Sequence, residues 1–143
     1  MTPLNDVFDR CFSLIKDTDL AKISEDDLYK LAKVWYEMSA TRFKESRKNL
    51  EIIEIDNEWY IQDDLSLEEK NIISQGMIYY WLESKVNYNR LMKNQVNTKD
   101  WNNLSNANML LRLTELLDYY RKEFFRLRKA YSRNYPSDFS GWS

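Results

Sequence analysis

Large apolar side chains recur along residues 105–131 at alternating steps of three and four. That spacing places them on one face of a single α-helix, which we expect to be the element against which the other helices pack. Ser105 is predicted to cap this helix, because its hydroxyl can accept a hydrogen bond from an amide of the first turn. The stripe comprises Leu110, Leu113, Leu117, Tyr120, Phe124, Leu127 and Tyr131.

Two further helices are predicted in the first third of the chain. Thr2 as N-cap and Pro3 at the first helical position predict a helix over residues 3–16. Ser24, followed by three acidic residues, predicts a second helix that ends at about Asn49. Its buried stripe is expected to comprise Leu28, Leu31, Trp35, Met38, Arg42 and Phe43. The arginine in this stripe either packs its stem and extends its head to water, which we favour, or forms an ion pair with another subunit.

A third helix is predicted from the capping box of Ser66 and Glu69 to about Lys93. In this motif the serine side chain bonds forward to the amide of the glutamate, whose carboxylate bonds back. Gly76 costs about 1 kcal/mol relative to Ala inside a helix, so we expect it to permit a close crossing with another helix. The buried face is expected to comprise Ile73, Met77, Tyr80, Trp81, Ser84, Tyr88 and Leu91.

Residues 51–61, EIIEIDNEWYI, depart from the helical pattern. Apolar and aromatic residues flank the polar run Asp56-Asn-Glu58, which predicts a small β-hairpin. The turn lacks the Asn-Gly pair typical of tight hairpins, and an isolated hairpin is marginally stable. A long loop, or a hairpin completed by a neighbouring subunit, therefore stays open.

The helical pattern ends after Tyr131, since Pro136 and Gly141 do not fit a continued helix. The predicted fold is all-α, a four-helix bundle over residues 1–132 followed by an extended C-terminal arm over residues 133–143. The arm carries three aromatic residues: Tyr135, Phe139 and Trp142. They either fold back on their own bundle or dock as anchors into a partner.

Composition limits the chemistry of the protein. Its 143 residues include no His, one Cys, two Gly and two Pro, which favours helices and removes the commonest metal ligand and general base. Cys11 falls on an apolar helix face, and the carboxylates do not follow the spacing of a metal-binding loop. We expect no enzyme activity, no cofactor and no metal. The chain also shows no secretory leader pattern and no apolar run of about 20 residues. We therefore expect a protein that is made in the cytosol and is not inserted into a membrane.

Positive charge concentrates near the end of the last predicted helix. Contact with nucleic-acid phosphate is one interpretation; complementarity to the helix dipole, together with pairing with the acidic N-terminal half of the chain, is the other. The net charge of −2 provides no general attraction to nucleic acid. The run comprises Arg121, Lys122, Arg126, Arg128, Lys129 and Arg133, against Glu123.

Ten Tyr, five Trp and six Phe exceed what a small helical core needs, and aromatic residues and Arg are enriched at interfaces. An assembly protein is therefore favoured.

Two stretches resemble the small neck proteins of tailed bacteriophages. The first is Leu65-Ser-Leu-Glu-Glu69 with Ile73-Ser-Gln-Gly-Met77 and Tyr80-Trp-Leu82; the second is Asp100-Trp-Asn-Asn-Leu-Ser-Asn-Ala-Asn-Met109 before a Leu- and Arg-rich helix. Those proteins are head–tail connector or head-completion adaptors. The resemblance covers roughly residues 60–143, and the segment 51–61 departs from it. It implies a helical bundle that forms a ring, typically a dodecamer, beneath the portal protein, with an extended C-terminal arm.

The resemblance implies a structural virion protein of the phage neck, assembled in the host cytoplasm between portal and tail components. Partner-binding residues would be the arm anchors Tyr135, Phe139 and Trp142, together with Arg126 and Arg133. The loop 94–103 or the segment 51–61 would meet the next tail component or a neighbouring subunit. The alternative is a cytosolic helical module that binds or packages nucleic acid through the basic end of the last helix. A small enzyme built on an acid pair ranks last.

Overall fold

The structure, a computed structural model, describes residues 1–15, 24–95 and 104–134. Within these ranges the protein is mostly helical, with a small antiparallel sheet, as predicted. The chain order is β1 (Thr2–Pro3), α1 (Leu4–Leu14), α2 (Glu25–Arg42), β2 (Ile52–Ile55), β3 (Glu58–Ile61), α3 (Leu67–Gln95) and α4 (Leu104–Asn134).

Helix α3 lies at the centre and contacts α1, α2 and α4. Its crossing with α2 and α4 is close at Gly76, as predicted. A Cβ placed there would overlap the hydroxyl of Ser39 on α2 and would lie 2.7 Å from Cζ of Phe124 on α4. The Ser39 hydroxyl is buried and donates to the carbonyl of Ile73 at 2.8 Å. The absent side chain therefore lets three helices meet at one level of the core.

Residues 51–61 form the predicted hairpin, in which β2 pairs antiparallel with β3. Asp56 and Asn57 make its turn with φ of 53° and 66°, the left-handed conformation that two-residue hairpin turns require and that Asp and Asn tolerate. The third strand comes from the N-terminus of the same chain, since Thr2 pairs with Ile61.

The prediction that Thr2 caps the first helix was wrong. Helix α1 begins at Leu4, and no side chain caps it. The buried Thr2 hydroxyl instead donates to the carbonyl of Asp63 at 2.8 Å and accepts from the amide of Leu65 at 2.9 Å. Thr2 and Pro3 pair with β3 instead of starting the helix, because the sheet edge offers hydrogen-bond partners that a helix end lacks.

Helix α2 begins after Ser24, whose hydroxyl accepts from the amide of Asp27 at 3.3 Å as predicted. Its predicted end near Asn49 was wrong, because the helix stops at Arg42. The next residue, Phe43, turns into the core at 2% exposure. The Tyr36 hydroxyl donates to the carbonyl of Leu50 at 2.7 Å and so ties the following loop back to the helix.

The predicted buried faces of α2 and α3 were partly wrong. On α2, Leu31 and Met38 are exposed, and the buried positions are Ala32, Trp35, Tyr36 and Ser39. On α3, Ser84, Tyr88 and Leu91 are exposed, whereas the deeper turns bury Leu82, Val86 and Asn89. A central helix packs on several sides, so one stripe does not describe it.

The capping box and the stripe of α4 are confirmed. The Glu69 amide donates to the Ser66 hydroxyl at 3.1 Å, and the Glu69 carboxylate accepts from the Ser66 amide at 2.8 Å. Glu69 is 2% exposed and also accepts from the hydroxyl of Tyr131 at 2.9 Å. All seven stripe residues of α4 are buried or half-buried.

The bounds of α4 differ from the prediction at both ends. Because the helix begins at Leu104, Ser105 lies in its first turn and is not the N-cap. The helix includes Arg133 and Asn134, so any arm starts two residues later than predicted. Residues 135–143 lie outside the described ranges.

Candidate functional site: a groove between α2 and α4

A groove of about 910 Å³ runs over α3 between α2 and α4. Its floor and walls comprise Val34, Glu37, Met38, Thr41 and Arg42 of α2, Tyr79, Tyr80 and Glu83 of α3, and Arg121, Lys122, Phe124, Phe125 and Arg128 of α4. We call this surface the α2–α4 groove.

Apolar side chains line the groove and remain open to solvent. Val34 is 52% exposed and Met38 is 40% exposed on the α2 wall, and Phe125 is 51% exposed on the α4 wall. Tyr79 and Tyr80 form the floor with their rings in edge contact, 4.9 Å between centroids. Among the described residues, no element covers this strip.

Arg128 closes one end of the groove. Its Nη1 donates to the carbonyl of Arg42 at 2.6 Å, at the last residue of α2, and lies 3.9 Å from a carboxylate oxygen of Glu45. Its guanidinium also stacks on Phe124, 4.5 Å from the ring centroid. Among the described residues, Arg128 Nε is buried without a hydrogen-bond partner. Arg128 thus joins α2 and α4 at this end of the groove.

Arg42 is an exposed residue of the groove lining and not part of a buried stripe. Its Nε donates to the hydroxyl of Tyr80 at 3.2 Å. On the same floor, the hydroxyl of Tyr79 donates to Glu83 at 3.0 Å. Burial, and then this carboxylate, raise the pKa of Tyr79, so the phenol stays a neutral donor. The groove therefore offers aromatic faces together with fixed polar groups.

Acidic side chains on α4 itself form ion pairs with several cations of the predicted basic run. Asp118 accepts from Arg121 at 2.6 Å and pairs with Lys122 at 2.9 Å, and these cations hold the pKa of its carboxyl below the usual value. Glu123 pairs with Arg126 at 2.5 Å, which lowers the pKa of Glu123. The sequence interpretation counted Glu123 alone against the six cations.

The predicted partner-binding residues have different outcomes. Arg126 and Arg133 are exposed on α4, outside the lining of the groove. The anchors Tyr135, Phe139 and Trp142 lie outside the described residues, as does most of the predicted loop 94–103. Sequence reasoning missed the groove. Its signal was the pair of apolar residues beside the main stripes: Val34 on α2 and Phe125 on α4.

Two kinds of group could carry chemistry in the described part of the chain: the Cys11 thiol and clusters of acidic side chains. Cys11 is fully buried, and burial raises its pKa to about 12, so the thiolate is scarce at neutral pH. Among the residues that the structure describes, no three His, Cys, Asp or Glu side chains lie together in a metal-binding arrangement. No described helix combines the length and apolarity needed to cross a membrane.

Comparison of the chain with protein-family models, with curated proteins and with solved structures found no match. We therefore infer function from the surface of the molecule and from its sequence pattern.

Proposed function

We propose that this protein is a structural adaptor that joins two larger assemblies, in the manner of a phage head–tail connector. The proposal rests above all on the α2–α4 groove. A concave surface that combines exposed apolar side chains with a few fixed polar groups is the usual form of a binding site. Here Val34, Met38 and Phe125 are the exposed apolar side chains.

The chemistry of the groove is that of an interface. Aromatic residues, Met and Arg are enriched where proteins bind each other, and the groove holds four aromatic rings beside Met38, Arg42, Arg121 and Arg128. Its polar groups are held by partners within the chain, as the Arg128 contacts are. A preorganised surface loses less conformational entropy on binding.

The resemblance of residues 60–143 to phage neck proteins supports the specific form of the proposal. The adaptor would form a ring in the virion neck, assembled in the host cytoplasm, between a portal protein and tail components. A contact between unlike surfaces of identical subunits closes into a ring when the rotation permits. Each subunit then needs a modest interface on each side.

The test is the mass and shape of the purified full-length protein. Light scattering across a concentration series, with negative-stain electron microscopy, is expected to give closed rings that are multiples of the 17.4 kDa subunit. Portal protein added to the sample should promote rings at lower concentration. A monomer at every concentration, with or without portal, would contradict the proposal.

Two further measurements separate the alternatives. Alanine at Tyr135, Phe139 and Trp142 in the full-length protein is expected to block virion assembly, and intact assembly would exclude a docking role for the arm. Duplex DNA binding by the free protein, falling steeply between 50 and roughly 200 mM salt, would favour the nucleic-acid module instead. The ion pairs of Asp118 and Glu123 already reduce the positive charge available for that role.

A further inference from the structure

We propose that the α2–α4 groove binds residues 135–143 of a neighbouring copy of this chain. The proposal rests on the adaptor function and names the partner of the arm: a second copy of the protein. Each subunit would then give one arm and receive one, which is the unlike pairing that a ring requires.

The side chains of the segment YPSDFSGWS suit the groove. Phe139 and Trp142 would pack on the exposed strip of Val34, Met38 and Phe125, where burial of apolar surface contributes about 25 cal/mol per Å². The acidic residue Asp138 would face the Arg128 end. There the Arg128 side chain keeps 18% of its surface exposed, and a carboxylate forms short, charge-assisted bonds to guanidinium.

The length of the α2–α4 groove agrees with the spacing of the two aromatic anchors, Phe139 and Trp142. The α4 wall runs from Arg121 to Arg128, which is about 10 Å at 1.5 Å per helical residue. Phe139 and Trp142 are three residues apart in sequence, about 9 Å in an extended polyproline II segment, whose three residues per turn place both side chains on the same side. The groove is therefore long enough for both anchors in an extended segment, and its volume of about 910 Å³ accommodates several aromatic side chains.

The direction of α4 favours a neighbour's arm over the subunit's own. Helix α4 continues six residues past Arg128 to Asn134, so it ends about 9 Å beyond the closed end of the groove. The groove lies back along α4, on the other side of Arg128. To enter its own groove, the segment would have to reverse at once and cross the Arg128–Arg42 bridge. A neighbouring groove requires no such reversal.

The test is disulfide trapping between two full-length variants. Val34→Cys places a thiol on the exposed α2 wall, and Ser140→Cys places one between the two anchors. The native Cys11 stays in place, because burial raises its pKa to about 12. Under mild oxidation, an equimolar mixture is expected to give a two-chain product at least about tenfold faster than the control, since docking raises the effective concentration of the thiols.

The matched control pairs Ser140→Cys with Tyr88→Cys, because Tyr88 is 62% exposed on α3 and lies outside the groove lining. Two additions locate the contact. Phe125→Glu in the acceptor, or Phe139→Ser with Trp142→Ser in the donor, should reduce trapping to the control rate. Tyr88→Glu in the acceptor should leave the rate unchanged.

Equal rates for the groove and control pairs would overturn the proposal. So would a disulfide formed within one chain of the Val34→Cys/Ser140→Cys double variant with no two-chain product, because the arm would then occupy its own groove. Rings that form without selective trapping would refute this inference alone, whereas an absence of rings and of portal binding would refute the adaptor function.

Discussion

Gly76 offers the sharpest test of how the helices pack, because two effects of known size oppose each other there. Gly76→Ala adds one methyl group to α3. By helix propensity alone the change would stabilise the protein by about 1 kcal/mol. The methyl group would, however, overlap the Ser39 hydroxyl and lie 2.7 Å and 2.8 Å from two ring carbons of Phe124, so both neighbours must move.

The cost of that movement exceeds the propensity gain. Overpacking a core by one methylene-sized group costs about 1–3 kcal/mol. Rotating Ser39 away from the methyl group also breaks its bond to the carbonyl of Ile73, which costs about 1 kcal/mol. The net expectation is that Gly76→Ala destabilises the protein by about 1–3 kcal/mol.

Urea unfolding and calorimetry measure the effect. For a chain of this length, each kcal/mol lowers the Tm by about 3 °C. Ser84→Ala is the matched control, because Ser84 is exposed on the same helix and its hydroxyl bonds to the carbonyl of Trp81; we expect a change within about 0.5 kcal/mol. Combining Gly76→Ala with Ser39→Ala should cost less than the sum of the two single changes, since the overlapping oxygen is gone.

A Gly76→Ala variant as stable as the wild type, or more stable, would refute this account of the crossing. It would mean that helix propensity outweighs packing at this position and that α2, α3 and α4 lie further apart than described.

Three other predictions use single groups. Tyr131→Phe removes the donor to the buried carboxylate of Glu69 and should destabilise the protein by about 1–3 kcal/mol in urea unfolding; an unchanged midpoint would contradict the bond. The pKa of Asp64 is lowered by the N-terminal ammonium, and that of Asp118 by Arg121 and then Lys122. Both pairs therefore stabilise the fold above the ordinary carboxyl pKa of about 4, and this contribution is lost as the pH falls through the lowered values. The Tm should decline below about pH 4, and Asp118→Asn should decline less; equal declines would argue against the Asp118 pairs. Cys11 should resist iodoacetamide at pH 8 in the native protein and react fully in urea; rapid native alkylation would show that the thiol is accessible.

The sequence correctly predicted the elements whose ends and buried faces depend on residues that are close together in the chain. Ser66 and Glu69 are three residues apart, so each finds the other's amide in any helix that starts there. The stripe from Leu110 to Tyr131 is regular because α4 presents one face to the core. Asp56 and Asn57 adopt the turn without a glycine, since both residue types tolerate positive φ.

Tertiary contacts decided the remaining elements. Nothing in the sequence after Arg42 breaks a helix; burial of Phe43 and the bond from Tyr36 to the Leu50 carbonyl end it. Thr2 follows the general pattern of an N-cap, yet a sheet edge supplied by residues some 60 positions later gives its hydroxyl two partners.

The α2–α4 groove is also a feature that tertiary contacts decide. Sequence periodicity identifies Val34 and Phe125 as apolar but does not indicate whether another element covers them. That depends on how α2 and α4 pack on α3, where the Arg128 bridge and the close crossing at Gly76 are tertiary contacts. The pairs of Asp118 with Arg121 and Lys122, by contrast, are local, because these residues lie three and four positions apart on one helix.

The pairing of β1 with β3 also constrains the order in which the chain can acquire its structure. The hairpin of β2 and β3 is local and can form within microseconds, but the bond between Thr2 and the Leu65 amide joins groups 63 residues apart. Closing so long a loop carries an entropic cost that later contacts must offset. During synthesis Thr2 and Pro3 leave the ribosome long before residues 58–61, so β1 can join the sheet only after β3 has been made.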